Sequence, residues 1–249
     1  MIEFDNVYKS FGKFHVLKGL DLTLESGKIN FVIGRSGSGK SVLLKHILGF
    51  IKPDSGNICI DGQDTAGYKE QDWQVLRRRF GMLFQDAALF DFMTVRQNVA
   101  FPLIENTRKH SDEINEIVSR KLELVGLKNH DSKLPSELSG GMRKRVAFAR
   151  AIATDPDFVL FDEPTTGLDP IVCSVIDNLM ADAQRELNST FVVISHDMKA
   201  TFKIAHKIFM LYNGEIVAQG TPDEIQQTGD PLVRQFIEGH LTGPFEIFY

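Results

Sequence analysis

The stretch "INFVIGRSGSGKSVLLKHILG" restricts what this chain can fold into more than any other part of it. An apolar run rich in β-branched residues ends in a loop of the form GxxxxGK[ST], and a helix-forming stretch begins at once. Such a loop works only between the carboxyl end of a strand and the start of a helix, where backbone N–H groups converge and the helix dipole favours an anion. An α/β fold follows. The loop reads as a phosphate cradle made by Gly34, Arg35, Ser36, Gly37, Ser38, Gly39, Lys40 and Ser41, with Val42 in the first helical turn. Lys40 would neutralise the β and γ phosphates, and Ser41 would offer its hydroxyl to Mg²⁺.

Three more runs, "FGMLFQ", "FVLFDEP" and "TFVVISH", read as buried strands of a mostly parallel sheet, each ending at polar residues. Helical patterns cover Lys40 to Gly49, Ser111 to Val125, Gly141 to Ala153 and Ile171 to Leu187. Near the start, "MIEFDNVYKSF" and "VLKGLDLTLE" alternate as in a small antiparallel sheet, and "GNICIDG" and "NGEIVAQG" resemble further short strands. Residues 1–85 and 156–225 are therefore expected to form the nucleotide-binding core with its antiparallel part. Residues 86–155 form an inserted helical subdomain and 226–249 an aromatic-rich tail. In that tail Phe236, Phe245, Phe248 and Tyr249 are expected to dock on folded surface.

The carboxylates of "FVLFDEP" gain meaning beside the phosphate loop. Asp162 can hold Mg²⁺ through water, and Glu163 can polarise an attacking water as general base. His196, closing "TFVVISH", can hydrogen-bond the γ phosphate and orient that water. The net charge of −5 argues against a nucleic-acid binder held by bulk charge. The local clusters Arg77–Arg79 and Arg143–Arg145 are expected to be solvated faces. Cys59 and Cys173 lie far apart without CxxC spacing and read as buried free thiols of a reducing compartment. The N-terminus lacks the apolar centre of a secretory signal, and no apolar run is long enough to span a bilayer, so a cytosolic chain is expected unless a partner holds it at a membrane.

The order of "GRSGSGKS", the glutamine of "FGMLFQ", "LSGGM", "FVLFDEP", "TGLD" and "ISH" resembles the nucleotide-binding subunits of ABC transporters over nearly the whole chain. That resemblance implies ATP as the nucleotide and Phe11 as the aromatic stacked on adenine. It makes Gln85 the lid glutamine near Mg²⁺ and the attacking water. Ser139, Gly140 and Gly141 become the signature turn, and Asp169 an aspartate acting across a dimer. The signature usually ends in glutamine, where this chain has Met142.

A narrower resemblance uses that departure. "MLFQDAALFDFMTVRQNVAFPL", "LSGGMRKR" and a tail containing "GPF" are similar to the ATPases of Mla/Mce-type phospholipid transporters, which also carry methionine in the signature. It implies a homodimer on the cytoplasmic face of the inner membrane, bound to permease subunits and linked through them to a lipid-binding, Mce-like partner, with no nucleic acid. An amino-acid or other small-solute importer is the alternative, and a soluble ABC ATPase acting on nucleic acid or ribosomes a more distant one. Within "DAALFDFMTV", Ala87, Ala88, Leu89, Phe90, Phe92 and Met93 either pack the inserted subdomain or line a groove for a permease helix.

Overall fold

The computed structural model describes residues 1–244. In chain order they form β1 (Ile2–Phe11), β2 (Phe14–Leu24), β3 (Ile29–Ile33), α1 (Lys40–Ile47), β4 (Ser55–Ile60), β5 (Gln63–Asp64), α2 (Glu70–Arg77) and β6 (Phe80–Leu83). Three helices follow, α3 (Val95–Asn106), α4 (Ser111–Leu124) and α5 (Gly140–Ala151), with a 3₁₀ turn at Pro135–Glu137 before the last. The chain continues with β7 (Phe158–Asp162), α6 (Pro170–Leu187), β8 (Thr190–Ile194), α7 (Met198–Ile204) and β9 (Lys207–Tyr212). It ends, among the described residues, with β10 (Glu215–Gly220), α8 (Pro222–Gln226) and α9 (Pro231–Glu238). The strands make a four-stranded sheet of order β2-β1-β4-β5 and a six-stranded sheet of order β10-β9-β3-β8-β7-β6. Two compact units result: Met1–Trp73 with the described residues from Ile194 on, and Gln74–Val193.

In the first unit β1 runs antiparallel to β2 and β4, while β3 pairs parallel with β9, whose other edge carries antiparallel β10. Every residue of β3 is buried, as expected for a parallel strand covered on both faces. The strand "KIFMLY" of β9 had no counterpart among the expected strands, and "NGEIVAQG" belongs to the larger sheet. On α1, His46 is 1% exposed; its Nδ1–H donates to the Val42 carbonyl at 2.8 Å, and its Nε2 has no partner among the described residues. Burial, opposed by that hydrogen bond, holds the imidazole below its usual pKa.

In the second unit β6 and β7 are parallel, with the Phe80 and Phe158 rings stacked at 4.8 Å. Phe148, Phe161 and Phe191 continue the core at centroid spacings of 5.6 and 5.1 Å. The helical stretch 86–155 lies wholly within this unit. Helix α3, with Pro102 inside it, had no counterpart among the expected helices. A reciprocal capping box of Thr94 and Gln97 starts it, and packing against α4 and α5 keeps it helical although Pro102, in its interior, offers no N–H. Helix α5 approaches β6 so closely that a Cβ added at Gly81 would lie 1.9 Å from the Ala151 carbonyl oxygen.

Two expectations about burial need correction. Cys59 and Cys173 are free but only half-buried. On β4 the alternation that buries Ile58 and Ile60 turns Cys59 to the opposite face. Cys173 precedes the buried stripe of α6, which begins at Ile176. In the tail, α9 buries Val233 and Gln235 and half-buries Phe236, whereas Phe245, Phe248 and Tyr249 lie outside the described residues. Among the described residues no helix is long and apolar enough to cross a membrane.

Gly81→Ala is expected to destabilise the protein by about 1–3 kcal/mol through overpacking, read as a lowered urea midpoint; an unchanged midpoint would show that α5 shifts freely. His46 makes a second prediction. Its folded pKa lies below the unfolded value of 6.5, so the unfolded chain takes up the proton first and stability falls as pH drops through about 6.5. Between pH 7 and 5 the urea midpoint should fall more steeply for the parent than for His46→Gln, and parallel slopes would rule the imidazole out.

Candidate nucleotide site

In the first unit the loop after β3 is shaped by its glycines. Gly34 has φ +151°, and a Cβ there would stand 2.2 Å from the Leu211 carbonyl oxygen, so only glycine lets the loop leave the strand beside β9. Gly39, at φ +110°, is the N-cap of α1 and offers no side-chain cap, which leaves the start of the helix open to an outside acceptor. Lys40 is buried, and its ammonium donates to the carbonyls of Gly34 at 2.7 Å and Arg35 at 2.8 Å. The Ser38 hydroxyl is buried with no partner among the described residues. A buried hydroxyl inside a ring of N–H groups and a cation suits phosphate oxygens. Phe11 ends β1, is 47% exposed, and has the Lys9 ammonium 5.6 Å from its ring centre. Exposed His196 sits between β8 and the Asp197 cap of α7.

In the second unit, Asp162 ends β7 and both it and Glu163 are half-buried. Glu163 has φ +51°, a left-handed conformation that a non-glycine residue keeps only when its surroundings impose it. The Thr166 hydroxyl donates to its carboxylate at 3.2 Å. Exposed Gln85 follows β6, and the next turn carries Ala87 and Ala88 at φ +63° and +47°. Ser139 is the N-cap of α5 and accepts from the Met142 N–H at 3.3 Å. Gly140 is half-buried beside it. Gly141 has no room for a side chain, because its Cβ would meet Val172 Cγ1 at 2.6 Å. Val172 lies in the first turn of α6, which Asp169 caps by accepting from the N–H groups of Ile171 and Val172 at 3.0 Å each. The signature turn and the Asp169 turn are thus packed together.

The cluster Arg143–Arg145 is only in part the solvated face expected of it, for Arg143 is exposed and Arg145 half-buried. Lys144 is only 5% exposed and donates to the backbone carbonyls of Gln85 and, at 3.3 Å, Glu163. Arg143 donates to Leu138 O at 2.8 Å and Arg145 to Val125 O at 3.1 Å. Burial pulls the Lys144 pKa down, against the carboxylates of Asp86, Asp162 and Glu163. Sequence reasoning passed over Lys144 because a run of three cations reads as surface. The counter-signal is periodicity, since Gly141, Phe148 and Ala151 fall on the same face of α5 at helical spacing. In the Arg77–Arg79 cluster, Arg79 pairs with Asp157 at 2.6 Å.

The stretch after Gln85 divides between the two readings open for it. Ala87 is buried, and Phe90 packs on Phe101 at 4.8 Å, while Phe92 stays 78% exposed. Asn98 of α3 is buried and holds this stretch through both the N–H and the carbonyl of Phe90, at 2.9 and 3.1 Å.

A phosphate loop after a buried parallel strand and a carboxylate pair after another define a P-loop nucleotide-binding protein. The chain belongs to the ABC transporter family, as one of its ATPases: the family's profile matches residues 17–166. It is 41% identical to the intermembrane phospholipid transport system ATP-binding protein MlaF of Haemophilus influenzae, over 100% of this chain and 94% of that one. It is 39% identical to the probable ribonucleotide transport ATP-binding protein mkl of Mycobacterium tuberculosis, over 98% of this chain and 68% of that one. Among solved structures, a dimeric post-hydrolysis state of the ATP-binding cassette MJ0796 bound to ADP and Pi superposes with a TM-score of 0.81 at 31% identity, over 89% of this chain and 99% of that one.

Ser38→Ala separates folding from binding. Because the hydroxyl has no partner among the described residues, the melting temperature without nucleotide should hold or rise. The Kd for ATP should rise roughly tenfold or more if the hydroxyl bonds a charged phosphate. An unchanged Kd, measured by titration with a fluorescent ATP analogue, would remove Ser38 from the site.

Proposed function

We propose that this chain is the ATP-hydrolysing subunit of a transporter that moves phospholipid across the cell envelope. It acts as a head-to-tail homodimer at the cytoplasmic face of the inner membrane, peripheral to its permease subunits and linked through them to a lipid-binding, Mce-like partner. The observation that carries the lipid reading is the alignment with MlaF, which runs through the whole of this chain and nearly the whole of that protein. The mkl alignment is of similar identity but leaves about a third of its relative uncovered.

On this reading the loop from Gly34 to Ser41 holds the triphosphate, Lys40 turning its charge to the β and γ phosphates, while Phe11 stacks on adenine. Mg²⁺, held by Ser41, Gln85 and, through water, Asp162, would neutralise charge that develops on the phosphate oxygens. Glu163 takes the proton of the attacking water, and His196 and Gln85 orient that water. Ser139, Gly140 and Gly141 offer the start of α5 to the ATP held by the other copy, and Asp169 acts beside them across the dimer. The packing of Gly141 on Val172 supports this pairing of the two turns. ATP then joins the two copies, and hydrolysis releases them.

The test is reconstitution with a permease that co-purifies with this chain, in vesicles carrying a fluorescent phospholipid. ATP-dependent loss of label to acceptor vesicles is expected, with no uptake of radiolabelled ribonucleotide. Glu163→Gln should keep ATP binding while lowering turnover by about 10²–10⁴-fold, and lipid transfer should fall with it. Ribonucleotide uptake without lipid transfer would replace the lipid reading, and turnover near the parental rate would remove Glu163 as base.

A further inference from the structure

Helix α5 carries a device that neither the phosphate loop nor the carboxylates explain. Five residues beyond the signature cap Ser139, the ammonium of Lys144 is buried and donates to two carbonyls distant in sequence, those of Gln85 and Glu163. One turn and a half further along the same helix, Arg150 donates to the carbonyls of Ala87 at 2.9 Å and Ala88 at 2.8 Å. Each of these contacts falls on or beside backbone in an unfavourable conformation. Glu163, Ala87 and Ala88 all have left-handed φ without being glycine, and such residues hold that conformation only where hydrogen bonds and packing leave no alternative.

We propose that Lys144 is a positioning residue for hydrolysis: its ammonium couples the backbone of the lid glutamine Gln85 to that of the base Glu163 and ties both to the signature helix. The inference rests on the reading of Gln85 and Glu163 given above. Backbone direction at these two residues sets where their side chains begin. An ammonium is suited to the task because it has three donors and can serve two carbonyls at once. Neighbouring charges favour this choice, since the carboxylates of Asp86, Asp162 and Glu163 all act on it. A movement of the α5 start, where Ser139 would meet the other copy's ATP, is thereby passed to both groups of the same chain.

A positioning role has a signature that packing lacks. In the full-length chain, Lys144→Met keeps the length and apolar stem but removes the donors. It should lower kcat on the order of 10–100-fold, as small misplacements of reacting groups do, while KM for ATP stays within about threefold. Lys144→Arg and Lys144→Gln retain N–H donors, and at least one of them should restore kcat to within about threefold of the parent. If the methionine variant does not fold, Lys144→Ala is read in the same way. A donor-free variant that folds and keeps kcat within threefold overturns the proposal. So does a loss of kcat that neither donor-bearing variant repairs, or a loss confined to KM. Glu163→Gln, measured in parallel, separates the two levels: turnover in that variant breaks the underlying reading, whereas an inactive Glu163→Gln beside an unaffected Lys144→Met defeats this inference alone.

Discussion

A cation taken out of water must find oxygen, and much of the local architecture of this protein follows from that requirement. Leaving a buried ammonium unpaired costs several kcal/mol, so the backbone around it is drawn into place. Lys40 is satisfied by the carbonyls of its own loop, Lys144 by two carbonyls from separate strand ends, and Arg150 by the turn after Gln85. Lys121, also buried, pairs with Asp155 at 2.6 Å. Loops that would otherwise be free to move acquire a defined path because a cation needs their oxygens.

The difference between Lys40 and Lys144 is informative. Lys40 donates to two loop carbonyls and lies near the buried Ser38 hydroxyl, which has no partner among the described residues, so an anion arriving there would add an acceptor for that hydroxyl. Lys144 likewise donates to two protein carbonyls, but what lies near it is three carboxylates. The surroundings of the first lysine suit an anion, and those of the second do not.

Close backbone approach is the second constraint. Gly34 against Leu211, Gly81 against Ala151 and Gly141 against Val172 each lack space for a single methyl group. These contacts bring a phosphate loop to its strand, a helix onto a sheet and a signature turn onto the next helix start. Glycine there serves proximity. At Gly39 it serves backbone angle, and the two requirements are distinguishable only in three dimensions.

Sequence by itself determined the elements whose signals are local. β3 with its loop and α1, the strands β6 and β7 that run up to Gln85 and Glu163, and the helix start at Ser139 were legible there. Strand periodicity, glycine spacing and helix-start chemistry act over a few residues. Tertiary structure alone decided what depends on partners far along the chain. It made "KIFMLY" a strand by setting β9 between β3 and β10, and kept α3 helical through Pro102. It buried Lys144 where three cations in a row suggested solvent, and left Cys59 half-exposed on a strand whose neighbours are buried. Burial is a property of the face that another element covers, and that face is chosen by contacts tens of residues away in the chain.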